Sequence, residues 1–224
     1  MIEQRIDCAG LSTIAVGRAD AGLVVVVLHG RSMQATDLSP FAHALGLDAR
    51  FLFPDAPLPT EPRGFSWWPV DMEVRAARLA GGPFDLRDVD PPGRPTVRAA
   101  LGELCAVEGA GRRIVLVGFS QGGMLALDSV LHGLRPAGLA LLSTSRIAID
   151  EWRPLLPRLA GLPVLVSHGR NDAELAFSAG QGVRDLAIEG GAEVRWVEHE
   201  GGHEIPLLVW RELKRFLRPF IEAS

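Results

Sequence analysis

Short runs of β-branched and aliphatic residues alternate with amphipathic stretches along the chain. Residues 23–29 (LVVVVLH), 50–54 (RFLFP), 113–119 (RIVLVGF), 139–144 (LALLST), 162–168 (LPVLVSH) and 194–198 (VRWVE) read as strands. Several are apolar throughout, as parallel strands covered on both faces are. Residues 12–17 (STIAVG) add a candidate edge strand. Between these runs lie helical patterns at 38–46, with Thr36 or Asp37 as cap, and at 96–109, opened by Pro95 or Thr96. Further ones follow at 121–133, 173–191 and 205–220. Strand–helix alternation of this kind predicts a mostly parallel, doubly wound α/β sheet with helices on both faces. With no internal repeat and no Ser/Gly linker, residues 1–224 read as one domain.

One segment departs from the alternation. Residues 54–95 form a long Pro- and Gly-rich excursion between a strand and a helix, and connections of that length tend to be functional or disordered. Phe65, Trp67 and Trp68 argue for an ordered segment folded over something. The strands at 139–144 and 162–168, by contrast, are too close in sequence to admit a separate lid domain.

Composition narrows the picture by exclusion. A hydrophobic content of 47% is ample for a buried core, and a net charge of −4 with scattered arginines offers no footprint for nucleic acid. The longest apolar run, 23–28, is too short for a membrane span. The N-terminus has no apolar core of a signal peptide, and Cys8 and Cys105 match no metal or redox spacing. These features predict a cytoplasmic protein with ordinary thiols.

The candidate chemistry centres on Gly118-x-Ser120-x-Gly122, which follows a predicted strand and opens a predicted helix. A serine nucleophile on a strand-to-helix elbow requires that context, with small residues two positions before and after it. The bland alternative, a glycine-rich phosphate-binding turn, needs other glycine spacings or a Gly-Lys-Ser/Thr that is absent. A hydroxyl needs a base, and His203, in the glycine-rich loop EGGHEIP, is preferred over His199 at a strand end. His132, inside the helix, points away from the elbow, and His168 reads as a turn residue. Asp172, just past a strand and just before a helix, is the orienting acid, unless it serves only to cap that helix; Asp150 is the alternative acid. The amide of Gln121 and that of Arg31, with Ser32 as runner-up, are the expected oxyanion donors. His29 reads as a structural tie for the same loop.

The motifs LHGRSM, FPDAP, GFSQGG, SHGRND and GGHEI, in that order, resemble those of the phospholipase/carboxylesterase family of α/β-hydrolases. The similarity covers nearly the whole chain. It implies Ser120, Asp172 and His203 as a triad, Arg31 and Gln121 amides as the oxyanion hole, and no metal or cofactor. Two departures stand out: the family's Leu-Gly-Asp after His-Gly is here Arg31-Ser32-Met33, and its Trp-Phe-Asp is Trp67-Trp68-Pro69. Asp85, Asp88 and Asp90 read as a solvated acidic loop rather than a cation site.

The expected activity is hydrolysis of short-to-medium acyl carboxylic esters through an acyl-enzyme. Met33, Phe65, Trp67 and Trp68 would wall the pocket if residues 54–95 cover Ser120; otherwise they pack a loop onto the core. An acyl-thioesterase or lysophospholipase would use the same triad. A silent hydrolase fold serving as a binding module would lack a triad member, and none is lacking. The expected partner is a small-molecule ester, with the chain a monomer or a homodimer. The apolar face of the last helix (Leu207, Leu208, Trp210, Leu213, Phe216) fits either core packing or subunit pairing.

Overall fold

The apolar runs pair into one eight-stranded sheet in the computed structural model, which describes residues 3–222. In chain order the elements begin with β1 (Glu3–Cys8), β2 (Leu11–Val16), β3 (Leu23–Leu28), α1 (Ala35–Leu38), α2 (Pro40–Leu45) and β4 (Arg50–Pro54). A small hairpin of β5 (Leu58–Pro59) and β6 (Phe65–Ser66) follows, then α3 (Met72–Ala80) and α4 (Arg94–Glu108). The second half comprises β7 (Arg113–Phe119), α5 (Gln121–Leu131), β8 (Gly138–Leu142), α6 (Ile149–Trp152), β9 (Pro163–Gly169), α7 (Phe177–Glu189), β10 (Glu193–His199) and α8 (Leu207–Glu222). The sheet order is β1-β2-β4-β3-β7-β8-β9-β10, with β2 antiparallel to its neighbours β1 and β4 and all other pairs parallel.

Alternation within each buried strand sorts its side chains to opposite faces. Val24, Val26, Leu116, Leu141 and Val166 point to a core shared with α4, α5, Trp152 and α7. Val25, Val27, Val115, Val117 and Leu165 point to a second core built with α1, α2 and α8. The continuous apolar runs therefore serve two helix layers at once, as a parallel sheet demands. On α8, Trp210, Leu213 and Phe216 belong to the second core, while Leu207 and Leu208 stay exposed.

Three features were not legible in the hydrophobic pattern. β1 is largely exposed, so it carries no apolar alternation, and it exists through its register with β2. α3 interrupts the 54–95 excursion without burying a single residue, and is instead started by the Asp71 carboxylate accepting from the N–H groups of Glu73 and Val74. α7 begins at Phe177, because residues 172–176 are consumed in a turn around Asp172. Cys105 is buried on α4, where burial pushes its thiol up to about 12. Among the described residues no helix is long and apolar enough to cross a membrane.

Candidate active site

Ser120 stands between β7 and α5 with φ 53° and ψ −118°, a conformation an L-residue occupies only under constraint. The constraint is visible in its neighbours. A Cβ at Gly118 would enter the backbone of Gly122 and Gly123, and one at Gly122 would meet the carbonyls of Leu28 and His29. The two glycines thus let α5 start hard against the sheet, and the serine is turned outward at the C-terminal edge of β7. Thr144 donates its hydroxyl to the Ser120 carbonyl at 2.7 Å, and the Ser120 N–H donates to Leu142 at 2.9 Å.

The loops after β9 and β10 are bound to one another. Arg170 N–H donates to the His199 carbonyl at 2.7 Å, Asn171 N–H to Gly201 at 3.1 Å, and the Asn171 amide to Glu200 at 2.6 Å. This brings together side chains 31 residues apart. His203 Nδ1–H donates to Asp172 Oδ2 at 2.7 Å, and the Ser120 hydroxyl donates to His203 Nε2 at 2.8 Å. The other Asp172 oxygen accepts from the N–H groups of Glu174 and Leu175 at 2.8 and 2.9 Å. Burial opposes ionisation of Asp172, but the His203 hydrogen bond and charge, with the Leu175 and Glu174 amides, outweigh it and hold the carboxyl below its usual range. An ionised Asp172 can only accept, which places the imidazole proton on Nδ1 and leaves Nε2 free to take the serine's.

The other candidates are placed elsewhere. His199 is buried with its Nδ1 accepting from the Gly201 N–H at 3.2 Å, inside its own loop. His132 lies on α5's far end, bonded to the Asp128 carbonyl and Glu151. His168 is fully buried; its Nε2 bonds the Leu175 carbonyl at 3.0 Å and lies 3.4 Å from Asp172 Oδ2, beneath the dyad. Asp150 sits in the first turn of α6, and the carboxylate that meets His203 is that of Asp172.

The loop at 29–33 abuts the serine. A Cβ on Gly30 would lie 3.2 Å from Ser120 Cβ, so Arg31 follows directly beside Ser120. His29 ties this loop down: Nδ1–H donates to the Gly30 carbonyl at 2.7 Å and Nε2 accepts from Ala56 N–H at 3.0 Å. Burial pushes the His29 pKa down, keeping the ring neutral and able to do both. The Ser32 N–H is spent on the Phe65 carbonyl at 2.8 Å, which leaves Arg31 as the free amide of the pair. Gln121 opens α5, so its N–H belongs to the first-turn donors with no intrahelical acceptor.

A cavity of about 260 Å³ opens onto Ser120 and Gln121. Its walls come from the 54–95 excursion, which is secured at several points. The Gln121 side chain accepts from the Trp67 N–H at 2.9 Å and bonds the Ser66 hydroxyl. Phe84 N–H donates to Glu174 at 3.3 Å, Ala148 N–H to Val89 at 2.8 Å, and Leu86 N–H to the Ser145 hydroxyl at 2.9 Å. Of the residues expected to wall the pocket, Trp68 does so. Trp67 does not: it is buried in the core, its indole N–H donating to the His29 carbonyl at 2.9 Å. Met33 and Phe65 bridge through their backbones and lie outside the lining. Val74, Phe84, Leu86, Pro92, Met124 and Leu175 line it instead, with Arg31 and Arg75. For Val74, Arg75, Phe84, Leu86 and Pro92 the sequence signal was the length of the excursion alone, whereas Met124 lies on α5 and Leu175 just past Asp172. Asp85 pairs with Arg146 and Asp90 with Arg94, so these acids are bound by arginines as well as solvated.

The sequence profile described as phospholipase/carboxylesterase matches residues 96–221. Among solved structures, the chain is similar to esterase PE8, with 26% identity over 94% of this chain and 99% of that one at a TM-score of 0.77. It superposes on Zea mays acyl-protein thioesterase 2 with 21% identity, 93% and 98% coverage and a TM-score of 0.76. A carboxylesterase from Mesorhizobium loti shares 20% identity over 96% and 97% of the two chains, at a TM-score of 0.69. A search of curated proteins returned no match.

Proposed function

The chain belongs to the phospholipase/carboxylesterase family of hydrolases, and we propose that within it this protein is a serine carboxylesterase acting on short-to-medium acyl esters. The observation that carries the reading is the unbroken bond chain Ser120–His203–Asp172, at 2.8 and 2.7 Å, at the foot of a walled cavity.

In the proposed reaction, His203 Nε2 takes the Ser120 proton as Oγ bonds to the ester carbonyl carbon. Asp172 holds the imidazole and stabilises the imidazolium. The amides of Arg31 and Gln121 bind the oxyanion, a contribution worth about a hundred- to a thousandfold per donor. His203 then protonates the departing alcohol, leaving an acyl-serine. Water, deprotonated by the same nitrogen, attacks that acyl group, and Ser120 regains its proton as the acid leaves. No metal or cofactor enters these steps. A cavity of about 260 Å³ suits a compact acyl group better than a long chain.

The test is hydrolysis of p-nitrophenyl esters from acetate to palmitate by the wild type and by Ser120→Ala. Turnover that peaks at short chains and falls about a millionfold in the variant supports the reading. Serine-dependent turnover confined to long chains or thioesters would move it to a lysophospholipase or acyl-thioesterase. Wild-type inertness on all of them would favour a binding module. We further read residues 1–224 as a single cytoplasmic domain, with 54–95 as its substrate-side excursion.

A further inference from the structure

All but one of the charges around the cavity are paired, cap a helix or stand exposed. Asp71 is occupied as the cap of α3, with Glu73 and Val74 N–H groups at 3.0 Å. Asp90 accepts from Arg94 at 2.7 Å, and Glu174 pairs with Arg75 at 2.6 Å. Arg78 is exposed, its Cζ 5.9 Å from the centroid of the Phe84 ring. Arg31 remains. It is half-buried and lines the cavity beside Ser120, and its guanidinium makes no hydrogen bond or ion pair with any described residue.

The fields acting on Arg31 come from Arg75, which repels it, and from Glu174, which Arg75 already occupies. Burial first, and then Arg75, weaken the guanidinium's hold on its proton, as expected for a positive charge short of compensation. An arginine normally escapes that cost by running its head into bulk water. Here the head borders a space whose other walls are largely apolar, including Trp68, Phe84, Leu86 and Pro92. A cation partly withdrawn from water and left without a counter-charge is costly unless an anion joins it.

We propose that Arg31 selects esters that carry an anionic group, a carboxylate or a phosphate, on the part of the substrate seated in this cavity. The inference rests on Ser120 being the nucleophile. It gives one residue two tasks: the backbone N–H meets the oxyanion and the planar guanidinium grips a remote anion by paired hydrogen bonds. Because both groups belong to one residue, the spacer between reacting carbonyl and anion can be only a few methylenes long. Half-esters of short dicarboxylic acids have that shape.

The experiment compares kcat/KM for anionic and neutral esters of matched length. Monoethyl adipate puts the carboxylate on the acyl side, 4-acetoxybutanoate on the alcohol side, and ethyl 4-phosphonobutyrate tests the phosphorus anion. Ethyl hexanoate and butyl acetate are the neutral references. The quantity read is the anionic-to-neutral ratio within each protein, which cancels any general loss of activity. The wild type is expected to prefer at least one anionic ester. That ratio should fall about ten- to a hundredfold in Arg31→Leu, survive in part in Arg31→Lys, and shrink as salt is raised. Glutarate should also inhibit neutral-ester hydrolysis competitively in the wild type, a measurement needing no variant. A wild type indifferent to the anion, or a preference undiminished in Arg31→Leu, would overturn the proposal while leaving the esterase reading intact. Absence of Ser120-dependent turnover on every ester would overturn both.

Discussion

Ser120 can be held at positive φ because the residues two before and two after it, Gly118 and Gly122, are glycines that the sheet and α5 leave no room to enlarge. Gly118→Ala drives a methyl into the backbone of Gly122 and Gly123, so the elbow has to open. We expect a loss of about 1–3 kcal/mol in urea unfolding and a larger, separate loss of esterase turnover. Asp172 acts at the same scale through a single proton. Asp172→Asn keeps the size but presents a group that can donate to Nδ1, favouring the wrong tautomer of His203. Turnover should fall about ten-thousandfold with the unfolding midpoint little changed, read by p-nitrophenyl acetate hydrolysis and urea titration.

Among the elements, two connections matter most for the site. Gln121 reaches from the head of α5 to the backbone at Trp67, joining the excursion to the helix that follows Ser120. Further along α5, the fully buried Asp128 accepts from Arg94 at 2.7 Å, Arg98 at 2.9 Å and the Trp152 indole at 2.8 Å, tying α4, α5 and α6 into one layer. Arg94 also bonds Asp90 at the end of the cavity wall. Asp128→Ala takes one carboxylate from Arg94, which keeps Asp90 and Glu151, and leaves Arg98 and the Trp152 indole without theirs, so it should cost about 3 kcal/mol. The paired replacement Asp128→Leu with Arg94→Met should cost less than the single changes summed, because the buried Arg94–Asp128 pair is removed whole rather than halved. Denaturant unfolding of the four proteins checks this.

For the whole molecule, pH reports on groups kept neutral by the core. Burial pushes His29, His168 and His199 below the usual histidine range. The unfolded chain takes up protons near pH 6.5 that the native state refuses. Unfolded chains then bind more protons than folded ones, so stability is full above that pH and declines as pH falls below it. Asp172, depressed in the fold, adds a further decline of the same sign below the carboxylate range. The thermal midpoint should therefore drop steadily between pH 7 and pH 5. In His168→Phe, which removes one of the three histidines, that slope should be shallower.

The sequence by itself determined the parallel sheet, because continuous apolar runs such as 23–28 and 113–119 can be buried only between two helix layers. It also determined the elbow, since glycine spacing around Ser120 is a local steric requirement. Partners within a few residues of one another are legible in this way. What only the tertiary structure decided are meetings across the chain: His203 with Asp172, and the excursion with Gln121 and Glu174. The aromatic residues show the difference. Trp67 and Trp68 are adjacent and alike in sequence, yet one anchors its indole under the 29–33 loop and the other lines the cavity. Which side each faces depends on the register of a two-strand hairpin and on loops packed against it, and no periodicity encodes that. The same holds for Arg31: its position beside Ser120 follows from a motif, but its lack of a counter-charge follows from the acids around the cavity being taken elsewhere, Glu174 by Arg75, Asp90 by Arg94 and Asp71 by the start of α3.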